Sequence, residues 1–161
     1  MKLIHFSGKE YEVGDCLGCY NKNVDDVVFE TDNYVVSQDF ELPINGFIII
    51  SSKRHLKSIN EMNKEEKLEL IELIDVVLKA AKEIKICNEF NVIWEEKEWS
   101  HFHVWLMPRH KWMLEKFGNP TKNIKGVFEY AKENMRTEEN INNIYKSISA
   151  LKNSLNKGKS K

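Results

Sequence analysis

His101-Phe102-His103-Val104-Trp105-Leu106-Met107 is the stretch of this 161-residue chain on which the fold turns. Side chains alternate across a strand, so Phe102, Val104 and Leu106 share one face and His101, His103 and Trp105 share the other. The first face is apolar and belongs against a core. The second is imidazole, imidazole, indole, with neighbours roughly 6.5–7 Å apart by strand rise. Two imidazoles on one face can bind a metal, or one can act as a nucleophile held by its neighbours. A half-exposed strand with two surface histidines has the same spacing, so the surrounding sequence has to decide.

Upstream, Val27 to Phe29, the turn signal Thr31-Asp32-Asn33, and Tyr34 to Val36 read as a hairpin. The loop Glu41-Leu-Pro43-Ile-Asn45-Gly46 leads into Phe47-Ile-Ile-Ile50, apolar enough for a central strand. Asn63 reads as a helix cap with Glu65 and Glu66 in the first turn. Leu68, Ile71, Ile74, Leu78, Ala81 and Ile84 then recur at helical spacing and predict the buried face. Strand character returns at Phe90 to Trp94 and again in the histidine stretch, which Pro108 ends. After Pro120, Lys122 to Met135 and Thr137 to Leu155 read as two helices, the basic end as a solvated helix with a frayed tail. The pattern is α+β, a mostly antiparallel sheet with one long helix on it.

Hydrophobic residues at 42% and charged residues at 30% suit a soluble globular chain, while 7 Gly, 3 Pro and 3 Cys exclude collagen-like and disulfide-stapled classes. A formal net charge of −1 provides no field for a nucleic acid polymer or an anionic membrane, so neither partner is expected. The first residues, MKLIHFSGKEYEVGD, lack a signal-peptide core, and Phe47 to Ile50 is too short to span a bilayer. A cytoplasmic location is therefore expected, where Cys16 and Cys19 need an explanation other than a disulfide. Their two-residue spacing, eased by Gly18, suits half of a zinc site, with two more ligands to come from His5, His55, His101, His103 or His110. A redox pair fits less well, because Tyr20-Asn21-Lys22-Asn23 is turn-like and opens no long helix. Two unrelated buried cysteines are the third reading. Cys87 reads as a small core residue.

Taken in order, these segments resemble the histidine triad (HIT) superfamily of nucleotide hydrolases and transferases. The resemblance is carried by Cys16/Cys19, Gln38-Asp39-Phe40, Pro43-Ile-Asn-Gly46, Phe47 to His55, the long helix, and His101 to Arg109. It spans roughly residues 14 to 110. It implies a HIT-like fold, with a five-stranded antiparallel sheet and a long helix over residues 1–112, and leaves 113–161 as a C-terminal helical extension. It also implies a homodimer and a nucleotide partner. His103 occupies the position of the nucleophile that attacks an α-phosphate, and Asp39, followed by Phe40, that of the residue holding the ribose. Zinc would be held by Cys16, Cys19, His55 and His101.

Three positions depart from the family pattern. Trp105 replaces the third histidine; an indole donates one hydrogen bond but carries no charge. The Gly-rich loop before the triad is replaced by Trp94-Glu-Glu-Lys97-Glu98-Trp99-Ser100, which puts Glu98 where the family has a hydroxyl that assists the leaving group. Glu98 is thus the candidate acid for that group. Phe47 stands where a histidine is common. Two outcomes are open: nucleotidyl chemistry through His103 with Trp105 in the binding site, or a catalytically weak nucleotide-binding or structural protein whose Trp94, Trp99 and Trp105 form an aromatic surface.

Overall fold

A computed structural model describes residues 1–20, 25–98 and 100–159. Its strands are β1 (Lys2–Ile4), β2 (Glu10–Glu12), β3 (Val27–Glu30), β4 (Tyr34–Gln38), β5 (Ile48–Ser52), β6 (Phe90–Ile93) and β7 (His103–Pro108). Its α-helices are α1 (Lys64–Glu83), α2 (Lys111–Phe117), α3 (Ile124–Asn134) and α4 (Glu138–Lys159). Five strands form one sheet in the order β3-β4-β5-β7-β6, and every neighbouring pair is antiparallel. The expected α+β architecture, five antiparallel strands with a long helix, is the observed one. Among the described residues, no helix is long and apolar enough to cross a membrane.

Central β5 is buried along its whole length, which explains its unbroken apolar run: both faces of the sheet are covered. On one face Ile48, Ile50, Val104 and Leu106 meet Leu70, Leu73 and Val77 of α1, together with Ile144, Ile148, Leu151 and Leu155 of α4. On the other, Ile49, Phe47 and Met107 meet Met113 of α2 and Val127 and Ala131 of α3. Helices α2 and α3 therefore pack against one face of the sheet and α4 against the other. That corrects the reading of the basic end: one face of α4 is core, and the helix runs on to Lys159, whose ammonium lies 4.3 Å from the centre of the Phe29 ring.

Helix α1 starts where its cap requires. The Asn63 side chain accepts from the Glu66 amide at 2.8 Å, and Glu66 returns the bond to the Asn63 amide at 2.9 Å. Arg54 donates to both Glu66 oxygens, at 3.1 and 2.9 Å, and holds that carboxyl below the usual carboxylate range. This pairing ties the helix start to the chain just before His55.

The buried stripe of α1 is only partly the one the spacing picks out: Ala81 is buried, and Ile74, Leu78 and Ile84 pack partly buried against the core. Leu68 and Ile71 are 56% and 61% exposed, whereas Leu70, Leu73, Val77, Ala80 and Ala81 face the sheet. The helix is apolar over more than half its circumference, so two stripes satisfy the same period and packing selects between them. Cys87 is half-buried and lies outside both core clusters, so it is not core filler. The β1–β2 hairpin and α2 had no expectation attached; three-residue strands and a two-turn helix leave little periodic signal.

Candidate active site and metal centre

Pairing of β5 with β7 sets Ser51 opposite His103 and Ile49 opposite Trp105. All four line a cavity of about 240 Å³ at one face of the sheet, joined by Asp39, Phe40, Ser100, His101 and the segment Asp15 to Gly18. His103, Asp39, Phe40 and Trp105 are thereby brought together. Glu98 is exposed in the turn before Ser100 and is not among the lining residues. No lysine or arginine is among the described lining residues either. Trp94, at the end of β6, is 43% exposed, and Trp99 lies outside the described residues.

His103 is half-buried, and its Nδ1 lies 2.7 Å from the carbonyl oxygen of His101. A carbonyl can only accept, so Nδ1 carries a proton, and in the neutral ring Nε2 keeps its lone pair. Trp105 is wedged edge-on between Phe47, 5.9 Å away between ring centres, and Phe128 of α3, 5.7 Å away. Its ring lies 6.1 Å from that of His103. The Asp39 carboxylate is oriented by the amides of Glu41 and Leu42, at 2.9 and 2.8 Å.

At one wall of the cavity, lined by Cys16 and His101, the residues Cys16, Cys19, His55 and His101 each turn one ligand atom into a cluster no wider than 4.8 Å. Cys19 Sγ lies 3.0 Å from His55 Nδ1 and 3.3 Å from His101 Nδ1. Cys16 Sγ lies 3.5 Å from His101 Nδ1 and 3.6 Å from His55 Nδ1. Ligands on a tetrahedral zinc, with bonds of 2.0–2.3 Å, stand about 3.3–3.8 Å apart. The donor set and its spacing fit that ion. Lost hydration, then the hydrogen bond and charge of Cys16, push the Cys19 thiol above its ordinary value, so two adjacent thiolates call for a cation. His101 Nε2 donates to the Ser52 carbonyl at 2.6 Å, which leaves Nδ1 as the ligand nitrogen.

Gly18 is required by the same ring. A Cβ at this position would collide with the Cβ, Cγ and Cδ2 atoms of His101. We expect Gly18→Ala to push His101 out of the cluster and weaken zinc binding about 10-fold or more. Competition titration against a chromophoric chelator measures this, and an unchanged affinity contradicts it.

No family model and no curated protein matches the chain in sequence. Solved structures do match. A zinc-bound histidine triad family protein from Mycobacterium smegmatis superposes with a TM-score of 0.56 at 14% identity, over 83% of this chain and 86% of its own. A uridylyltransferase mutant superposes with a TM-score of 0.62 at 18% identity, over 88% of this chain, which spans 47% of that protein's length. The chain has the histidine triad fold. A diadenosine triphosphate hydrolase from Plasmodium falciparum shares it, with a TM-score of 0.53 at 14% identity over 72% of this chain and 82% of its own. His101, His103 and Trp105 all line the cavity, and His101 belongs to the metal cluster as well. Ser51, Ser52 and Ser100 were not singled out from sequence. The first two could have been found by pairing the strand after Phe47 with the histidine strand, since that register sets Ser51 opposite His103.

Proposed function

We propose that this protein is a nucleotide hydrolase or nucleotidyl transferase. Its substrate is of the dinucleoside polyphosphate or nucleoside phosphoramidate type, attacked at the α-phosphorus by Nε2 of His103. The observation that carries this reading is the 2.7 Å bond from His103 Nδ1 to the His101 carbonyl. It selects the tautomer whose free nitrogen is nucleophilic, on a side chain that lines the cavity. The Nε2 lone pair forms a P–N bond while the bond to the leaving group breaks, and that group departs with the electron pair and takes up a proton. Water then attacks phosphorus and the P–N bond breaks. Nucleoside monophosphate leaves, a proton passes to solvent, and neutral His103 is restored. Positive charge on the ring in between strengthens the Nδ1–H bond to the carbonyl, so the stabilisation grows toward the transition state. An acceptor other than water turns the second step into a transfer.

Asp39 takes the ribose hydroxyls in this reading, Phe40 and Trp105 wall the nucleoside, and Glu98 is the candidate acid for the leaving group as it meets solvent. Zinc would be held by Cys16, Cys19, His55 and His101. Four protein ligands leave no open position, so its contribution is to fix His101, whose carbonyl orients the nucleophile. The diadenosine triphosphate hydrolase and the uridylyltransferase that share the fold support the reaction class. Incubation with dinucleoside polyphosphates and nucleoside phosphoramidates, followed by chromatography, is expected to release nucleoside monophosphate. Binding without product over a long incubation contradicts the reading and favours a nucleotide-binding module.

We also propose a homodimer. Among the described residues β6 is an outer strand of the sheet, with Val92 42% and Trp94 43% exposed, and unpaired apolar edges invite a second sheet. Light scattering on the eluting protein is expected to give twice 19.0 kDa, and a single-chain mass contradicts it.

A further inference from the structure

The loop from Asp39 to Gly46 carries Asp39 and Phe40 into the cavity but pairs with no strand over most of its length. Leu42, Pro43, Ile44 and Gly46 are buried, so its carbonyls need partners. Three of them, those of Phe40, Glu41 and Pro43, find them in parts of the chain outside the family resemblance. The Phe40 carbonyl accepts from the Phe6 amide at 2.7 Å. That of Glu41 accepts from Arg136 Nη2 at 3.1 Å, and that of Pro43 from Asn140 Nδ2 at 2.8 Å. The Asn45 carbonyl accepts from His110 Nε2 at 2.6 Å. Arg136 and Asn140 are themselves fixed at the α3–α4 junction: Arg136 Nη1 donates to the Lys132 carbonyl at 2.7 Å and Asn140 to the Met135 carbonyl at 2.8 Å. Lys132 adds an ion pair to the Glu41 carboxylate at 3.1 Å.

We infer that the α3–α4 junction is a specificity element: Arg136 and Asn140, which do not line the cavity, are positioning residues that hold the Asp39–Phe40 arm in the conformation that reads a sugar. The inference rests on the reading above that Asp39 receives the ribose hydroxyls. The two clamped carbonyls lie two and four residues beyond Asp39, on the same arm that orients its carboxylate through the Glu41 and Leu42 amides. The nucleophile belongs to β7 and is held by the His101 carbonyl just before that strand, not by this clamp. Loosening the arm therefore weakens nucleoside binding and leaves the chemical step alone. With no lysine or arginine among the described lining residues to grip phosphate, the nucleoside end carries a larger share of the affinity.

The test uses full-length, zinc-loaded protein carrying Arg136→Met, Arg136→Lys, Asn140→Leu or Asp39→Asn. Calorimetry gives Kd for the four ribonucleoside 5′-monophosphates and their 2′-deoxy counterparts, and the hydrolysis assay gives KM and kcat. Wild type is expected to prefer the ribose form. R136M and N140L should each cut that preference about 10-fold, with KM rising in step and kcat within about three-fold, and R136K should recover part of it. Unchanged preference in both R136M and N140L overturns the inference, as does a joint fall of kcat and melting temperature with no change in preference. The Asp39 variant separates the two layers. If D39N keeps the ribose preference, or wild type shows none, the reading of Asp39 fails and the clamp with it; if D39N abolishes the preference and R136M and N140L do not, the clamp alone fails.

Discussion

His103→Ala is expected to lower turnover by on the order of 10³-fold or more while leaving zinc content and melting temperature as in the wild type. The size follows from the role: without Nε2 no P–N bond forms, and only binding and orientation remain to assist direct attack by water. The unchanged stability follows from the surroundings. His103 is half-buried at a cavity wall, and its hydrogen bond ends on a carbonyl two residues away, just before its strand. Water entering the enlarged cavity can satisfy that carbonyl. The ligand atoms of the metal cluster belong to other residues, so zinc stays. Turnover within about three-fold of wild type in a folded H103A protein removes His103 from the mechanism.

Loss of the metal should produce the second large effect, and a different pattern. The four ligands come from the turn Leu17–Cys19 and its preceding residue, the chain after β5, and the residue two before β7. One ion held there would cross-link three separate segments, and a group that binds only the folded state stabilises by mass action. At free zinc about a thousand-fold above Kd this amounts to about 4 kcal/mol, or about 10 °C in melting temperature for a chain of this size. Cys16→Ser, or a strong chelator, should bring that loss. Activity should fall as well, because His101 supplies one ligand with its ring and the hydrogen-bond acceptor for His103 with its carbonyl. The sign with pH is set by the ligands: thiolate and neutral imidazole must be deprotonated to bind, so zinc affinity falls as pH falls. Metal analysis alongside thermal melts checks both. Less than a tenth of an equivalent of zinc in protein purified without chelator contradicts the assignment.

The α+β pattern and the long helix were legible because each left a discrete mark. Asn63 caps and Phe47 to Ile50 is continuously apolar, whereas spacing alone marked only Cys16 and Cys19 and left five histidines open, His55 and His101 being named through the family resemblance. The alternation through His101 to Met107 separated core from cavity correctly, since Phe102, Val104 and Leu106 are core while His103 and Trp105 line the cavity. What failed was selection among equals. Leu68 and Ile71 obey the helical period as well as Leu70 and Leu73 do, and only the sheet beneath distinguishes them. The places of Arg136 and Asn140 could not be read at all, because a side chain that caps a distant carbonyl, 95 or 97 residues away in the chain, has no local pattern.

The measurement closest to the central claim is the identity of the covalent intermediate. Protein mixed with a hydrolysable nucleotide, quenched in alkali within a turnover and digested, should show by mass spectrometry a peptide containing His103 that carries one nucleoside monophosphate, absent from H103A. Hydrolysis that proceeds in the wild type with label on another residue, or with no labelled peptide under conditions that preserve phosphohistidine, contradicts nucleophilic catalysis by His103.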